Sequence, residues 1–294
     1  MAQLRAPVTA PTPRPPVYGL IAAAPIVNDP DLRWAGGWEF EPEGCGEGGK
    51  DSIACAGNVA AMSPAASPAI IQGDPIWIWA GDTCSTMGSG ERDWMGRARR
   101  QLAAIESFEL ADELWDGTVT TADSLANRFL AGPAGDSDTV TNGPTAVTPA
   151  LACVEAGLAA GLKGAQGMVH VTPQVLTHLA AADLVTLQGI QWVTPNGHIV
   201  VADAGYSGDG PGAVPASTTS QWIFGTPIIQ VRLGPVETIP GSLDDARNLA
   251  AAMNRGINDI TVIAGRIAGF QWTNECAQIA AEVNVGTCLI GGAS

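Results

Sequence analysis

Residues 91–115 read as one long helix, and a helix of that length limits what can be built around it. Gly88-Ser89-Gly90 breaks the chain just before it. Ser89 or Gly90 can cap the first turn, and Glu91 and Asp93 complement the positive end of the helix dipole. Trp94, Ala98, Leu102 and Ile105 recur at helical spacing on one stripe, with Phe108 and Leu110 continuing apolar contact beside it. Arg97, Arg99, Arg100 and Gln101 fall on other faces. Asp116-Gly117 ends the run, with Gly117 as a left-handed cap. At ~1.5 Å per residue the helix is about 37 Å long, which suits the spine of an elongated subunit.

Two unlike segments precede it. Prolines at 7, 11, 13, 15 and 16 exclude a helix from residues 1–30 and favour polyproline or β conformation. Such an arm buries little alone, so it is expected to be disordered or to be ordered by lying across neighbours. Residues 33–87 are β-rich, with apolar-aromatic runs at 34–40 and 69–80; the second contains Ile76-Trp77-Ile78-Trp79. Between the runs lie Gly44, Gly46, Gly48, Gly49 and then Ser63-Pro64-Ala65-Ala66-Ser67-Pro68. This predicts a long two-stranded excursion that rests on something else, because an isolated ribbon is marginal in water.

Downstream the pattern changes to mixed α and β. Residues 118–147 form a polar loop around a short helical piece near 122–130, with a boundary in the glycine- and proline-bearing stretch 132–144. Thr148-Pro149 and Thr172-Pro173 each pair a cap with a first-turn proline and start helices, the second running through Leu184. Residues 168–171 make a buried strand, and Pro195-Asn196-Gly197 turns a hairpin between 192–196 and 198–202. A loop at 205–217 leads to a β segment at 222–233 interrupted by Pro227. Residues 242–255 read as a helix with Leu249, Ala252 and Met253 inward, and 257–270 as β; the tail 277–290 has no assignment.

Composition bears on function mainly by exclusion. Only 15% of the residues are charged against 46% apolar, below the usual ~25% charged. So few charges call for burial against partner subunits. Fourteen basic residues against 29 acidic give a net charge of −15, which argues against a nucleic-acid binder. The one basic cluster, Arg92, Arg97, Arg99 and Arg100, reads as solvated or subunit-bridging. Residues 1–17 contain no apolar signal core, and no window approaches the ~20 apolar residues of a membrane span. A soluble product made in the cytoplasm is expected. None of the six cysteines forms a CxxC pair, so a metal site is not expected. Cys45 and Cys55 flank a glycine-rich turn and could face each other, but reduced, packed thiols are the expectation for a cytoplasmic product. The state of Cys45, Cys55 and Cys84 stays open.

Nothing in the sequence assembles a reaction centre or a cofactor site. His170 sits in an apolar strand, His178 on a helix and His198 in a hairpin, with no sign of convergence on a carboxylate. Gly205-Tyr206-Ser207-Gly208 misses the GxSxG elbow, and the Gly208–Gly212 run lacks the Lys-Ser/Thr ending of a phosphate loop. Asp112-Glu113 point to different helix faces, and Asp244-Asp245 read as helix N-terminal charge.

The order of segments does match a known arrangement: proline-bearing arm, long β excursion, long helix, α/β domain, return to β. It resembles the major capsid protein fold of tailed bacteriophages, shared with encapsulins. The wording Gly167-Met168-Val169-His170-Val171-Thr172-Pro173 and Thr194-Pro195-Asn196-Gly197-His198-Ile199-Val200-Val201 resembles structural proteins of phages infecting actinobacteria. The resemblance implies an α+β chain divided into an N-terminal arm (1–32), an extended β loop (33–90), a peripheral domain with the spine helix (91–147), an α/β axial domain (148–220) and a β return (221–294). It implies a subunit of an icosahedral capsid assembled in the host cytoplasm, enclosing double-stranded DNA and not an enzyme. Hexamers and pentamers of copies would be its partners, with decoration, portal or scaffold proteins. Arg92, Arg97, Arg99, Arg100, Trp77 and Trp79 become candidate subunit contacts, and Lys50 with Asn274 a candidate cross-link. An encapsulin-type compartment or a tail or head-completion ring protein are the alternatives.

Overall fold

A computed structural model describes residues 14–42, 45, 69–85, 93–241, 253–254, 259–273 and 276–286. In chain order, a short helix α1 (Leu20–Ala23) is followed by strand β1 (Ile26–Asn28), then β2 (Trp38–Phe40), β3 (Ile71–Gly73) and β4 (Ile76–Ser85). The long helix α2 spans Trp94–Asp116, and α3 (Thr118–Asp123) follows it directly. Strand β5 (Asp138–Thr139) leads to α4 (Val147–Gly161), β6 (Gly167–Val171) and α5 (Pro173–Ala181). Next come β7 (Thr186–Gln188), β8 (Gln191–Val193), β9 (Ile199–Ala202), β10 (Ser220–Pro227) and β11 (Gln230–Leu233). The chain continues through β12 (Glu237–Ile239), β13 (Met253–Asn254), β14 (Asp259–Gln271) and β15 (Ile279–Asn284). Among the described residues no helix is long and apolar enough to cross a membrane.

The chain divides into two compact units. One is built on Trp77–Glu106 and Val236–Arg266, the other on Val17–Ile76, Ser107–Pro235 and Ile267–Ser294. In the first unit β14 pairs with β4, with β12 (Ile239 opposite Ile263) and with β13 (Met253 opposite Ile260). Burial alternates along β4: Ile76, Ile78 and Ala80 are buried while Trp77 and Trp79 are exposed. Ala98 and Leu102 of α2 are buried, and Arg266 pairs with Glu106 at 3.2 Å.

The second unit holds a seven-stranded sheet in the order β5-β15-β10-β6-β9-β8-β7. β6 and β9 run parallel, and β10 pairs antiparallel with both β6 and β15. One face of the sheet is covered by α4 and α5. Leu151, Val154 and Leu158 of α4 and Val175 and Leu179 of α5 pack with Val169, Val171, Ile223 and Ala281. Every residue of β6 is buried, as expected of a central strand covered on both faces. The residues that alternate with this set, Met168, His170 and Phe224, are also buried. There Trp115 of α2 packs edge-on to Phe224 at 5.0 Å and against Tyr206 at 4.6 Å. The Trp115 indole donates to the Asp209 carbonyl at 3.0 Å. Gly205 permits this seating, since a Cβ there would lie 2.2 Å from the Phe108 carbonyl oxygen. In the same unit β11 pairs antiparallel with the C-terminal end of β14 and parallel with β1.

Local signals placed several boundaries well. Gly117 is left-handed at φ 59° and ends α2. Thr172 caps α5 by accepting from the Val175 amide, with Pro173 in the first turn. β8 and β9 form the hairpin expected across Asn196-Gly197. Other expectations are corrected. The long helix starts at Trp94, where Asp93 is the cap: its carboxylate accepts from the Gly96 amide at 2.8 Å. Residues 14–31 are not all extended, since they include α1, and β1 is paired within the chain. The short helix placed near 122–130 instead forms at once after Gly117, because Glu113 binds its free amides: those of Val119 at 2.7 Å and Thr120 at 2.8 Å. α4 begins at Val147 with Ala146 at the cap position rather than Thr148, and α5 stops at Ala181, short of Leu184. Met253 and Asn254 are a strand, not the end of a helix; residues 242–252 lie outside the described residues. Cys45 is disulfide-bonded to Cys276, with their Cα atoms 4.9 Å apart, in place of the reduced thiol expected. Cys55 lies outside the described residues, as does the side chain of Cys84.

Candidate assembly surfaces

The three histidines occupy structural positions. His170 is fully buried, with one ring nitrogen 2.9 Å from the Tyr206 hydroxyl and the other 2.9 Å from the Thr226 hydroxyl. Burial lowers its pKa to about 3, so the ring is neutral and both nitrogens are occupied. His198 accepts from the Gly167 amide at Nδ1, 3.0 Å away, and burial lowers its pKa too. His178 is exposed on α5. Among the described residues no group of three His, Cys, Asp or Glu side chains is placed to hold a metal ion.

In the first unit the surface features are aromatic and cationic. Trp77 and Trp79 are 41% and 55% exposed on the outward face of β4, an unusual cost for indoles unless something covers them. Arg97 pairs with the buried Asp82 at 3.2 Å, so it also supports the unit itself. Arg99 is exposed, and Arg100 reaches Asp93 at 3.4 Å. Arg92, Lys50, Asn274, Asp244 and Asp245 lie outside the described residues.

In the second unit two features were not legible in the sequence. The first is a latch. The buried Asp203 carboxylate accepts from the Leu20 amide and the Ser107 hydroxyl, both at 2.8 Å, and from the Gly205 amide at 3.1 Å. Burial raises its pKa, while the donors around it pull the other way. Gly19 allows the approach: its φ is +114°, and a Cβ there would lie 2.2 Å from Asp203 Oδ2. The second is a groove of about 370 Å³, walled by Val17, Tyr18, Leu176 of α5, and Leu187, Ile190 and Trp192 of the β7–β8 hairpin. Val17, Leu187 and Ile190 are 80%, 57% and 71% exposed, so its rim is apolar and open. Its only trace in the sequence is the apolar pair Leu187 and Ile190, on either side of a chain turn at Gly189 with φ 66°.

An acidic stripe runs along the C-terminal half of α2. Burial, with the Asp209 and Asp112 charges adding to it against the Ser207 hydroxyl, raises the Asp116 pKa to about 6. Glu109 and Asp112 are shifted up in the same way, burial first.

No family model matches the chain, and no curated protein matches it in sequence. Likeness is found in three dimensions. The capsid of Ralstonia phage GP4 aligns with a TM-score of 0.55 at 8% identity, over 99% of this chain and 97% of that one. The encapsulin complex of Synechococcus elongatus PCC 7942 gives 0.53 at 11% identity, over 97% of each chain. A chain of Mycobacterium phage Bobi gives 0.53 at 12% identity, over 96% of this chain and 95% of that one. At such low identity the shared property is the path of the backbone, from one end of the chain to the other.

Proposed function

We propose that this chain, whose α+β fold is that of phage capsid and encapsulin subunits, is a structural protein that assembles with copies of itself into a closed shell. The carrying observation is the extent of the match: 99% of the chain aligns with 97% of a phage capsid chain, so the likeness in fold covers nearly the whole of both chains. Low charge content and outward tryptophans at 77 and 79 support the reading, because both favour burial between copies.

Within that reading the shell is an icosahedral phage capsid of actinobacteriophage type around double-stranded DNA. The net charge of −15 suits a wall that does not cling to packaged DNA. Residues 1–32 serve as arm, 33–90 as extended loop, 91–147 as peripheral domain, 148–220 as axial domain and 221–294 as β return. Arg97, Arg99, Arg100, Trp77 and Trp79 lie at contacts between copies, and portal, scaffold or decoration proteins complete the particle.

A second reading, an encapsulin-type compartment, is favoured by the match to the Synechococcus elongatus complex over 97% of each chain. Electron microscopy of purified assemblies tests the class: closed icosahedral particles are expected. Rings with six- or twelve-fold symmetry would indicate a tail or head-completion protein, and only monomers or dimers under all conditions would refute shell formation. Nuclease-protected DNA inside the particles marks a capsid, and enclosed protein marks a compartment.

A further inference from the structure

The exposed pair Asn142-Gly143 differs from the other three places where this chain sets an Asn or Asp before a glycine. We propose that it is a site of spontaneous covalent modification, where the Asn142 side chain closes on the Gly143 nitrogen to a succinimide and opens to aspartate or isoaspartate.

The reaction needs a main-chain nitrogen that can attack the side-chain carbonyl one residue before it. Glycine favours the attack, because no Cβ crowds the approach. The sequence has four such pairs: Asp116-Gly117, Asn142-Gly143, Asn196-Gly197 and Asp209-Gly210. Three of them are locked. The Gly117 amide donates to the Glu113 carbonyl and the Gly197 amide to the Thr194 carbonyl, both at 2.9 Å, and the Gly210 amide donates to the Val214 carbonyl at 2.7 Å. A bound amide gives up its proton less readily, and its hydrogen bond must open before the nitrogen can attack.

The fourth pair is open on every count. Among the described residues the Gly143 amide has no acceptor within hydrogen-bond reach, and the Asn142 carboxamide has no partner either. Asn142 is exposed, so base and water reach it. Gly143 has φ +99°, and outside its chain neighbours no described atom lies within 4 Å of where a Cβ would stand. Nothing packed there resists the turn of the main chain that ring closure requires.

The steps balance with water as the one co-reactant. Base takes the Gly143 amide proton, and the nitrogen bonds to Asn142 Cγ. The Cγ–Nδ2 bond breaks, and the side-chain nitrogen takes up a proton and leaves as ammonia. Water then opens the ring. Opening at Cγ leaves aspartate; opening at the Asn142 main-chain carbonyl leaves isoaspartate, with the chain now running through the former side chain. Either product adds one negative charge to a chain already at −15. Isoaspartate also adds a main-chain carbon to a span fastened to β15 on both sides. Thr141 Oγ1 accepts from the Glu282 amide at 2.9 Å, and the Thr145 amide donates to the Glu282 carbonyl at 3.1 Å.

Incubating the folded, full-length chain in water enriched in heavy oxygen, at mildly alkaline pH, and mapping its peptides by mass spectrometry tests this. The peptide holding Asn142 should gain one heavy oxygen and an isoaspartyl product at least about tenfold faster than the peptide holding Asn196. In urea the two Asn-Gly pairs should convert at rates within about threefold of each other, since the fold no longer distinguishes them. Equal rates in the folded chain would overturn the proposal. So would an intact Asn142 over a time in which the unfolded chain converts. A preference for Asn142 that persists undiminished in urea would overturn it too, because sequence neighbours rather than the fold would then select the site.

Discussion

The Asp203 carboxylate holds the Leu20 amide at 2.8 Å across 183 residues of sequence. The same oxygen accepts from Ser107, so one buried side chain ties the first residue of α1 to the spine helix. Replacing Asp203 with alanine strands three buried donors, the Leu20 and Gly205 amides and the Ser107 hydroxyl. The expected loss is about 3 kcal/mol, from charge-assisted hydrogen bonds and unmet donors together. Urea denaturation measures the loss, and hydrogen exchange should show protection falling first at the Leu20 amide. An unchanged exchange rate there would remove Asp203 as the anchor.

Asp116 carries a pH signature. Its pKa in the folded chain is raised to about 6, above the unfolded carboxylate, so the native state binds the proton more tightly. Stability from this group is therefore greatest below pH ~4 and declines as pH rises to about 6. Asp116→Asn keeps an acceptor for the Ser207 hydroxyl and removes the charge. At pH 7 the variant should be more stable than the parent by about 1 kcal/mol, allowing for solvent screening, with the difference vanishing near pH 4. Paired denaturation curves at the two pH values decide it.

His170 titrates in the opposite sense. Its pKa is lowered to about 3 by burial, so the unfolded chain takes up a proton that the folded chain refuses. Its contribution is present above the unfolded value near 6.5 and is lost as pH falls towards about 3. The imidazole resonances should not move between pH 5 and 8, and a midpoint inside that range would contradict the buried geometry.

Arg97 and Arg99 should separate folding from assembly. Arg97 pairs with Asp82, whose side chain is only 7% exposed, so Arg97→Ala takes this ion pair from a buried carboxylate and costs the subunit about 2 kcal/mol. Arg99 is exposed, and Arg99→Ala should alter subunit stability by less than about 0.5 kcal/mol. Its effect is expected in light scattering during assembly instead.

The Cys45–Cys276 bridge closes a loop of 231 residues. Cys276→Ser should lower the stability of the oxidised protein by about 3 kcal/mol. Peptide mapping without reductant should recover residues 45 and 276 linked; two free thiols would rule the bridge out.

What was legible in the sequence was local. Gly117, Thr172-Pro173 and Asn196-Gly197 act through neighbours a few residues away, and each fell where expected. The start of α3 escaped because Thr118-Val119-Thr120-Thr121 is rich in β-branched residues, and what makes it helical is the Glu113 carboxylate binding its amides. Met253 and Asn254 read as helix by pattern but pair with β14, an override that local propensity cannot register. The Leu20–Asp203 latch and the Cys45–Cys276 bridge join residues too distant for any periodicity to connect. The groove left only a faint trace, because an apolar hairpin tip looks like core until its neighbours are known.

The parallel pairing of β1 with β11 also has a mechanical side. Tension applied at Val17 would reach the Leu20 amide first, then Ile26, Val27 and Asn28 in register with Val231, Arg232 and Leu233. A strand drawn along its own axis loads its rungs together rather than one at a time. The same few residues that seat the chain on its sheet would thus act as a strain relief, stopping a pull on the arm before it unravels the body.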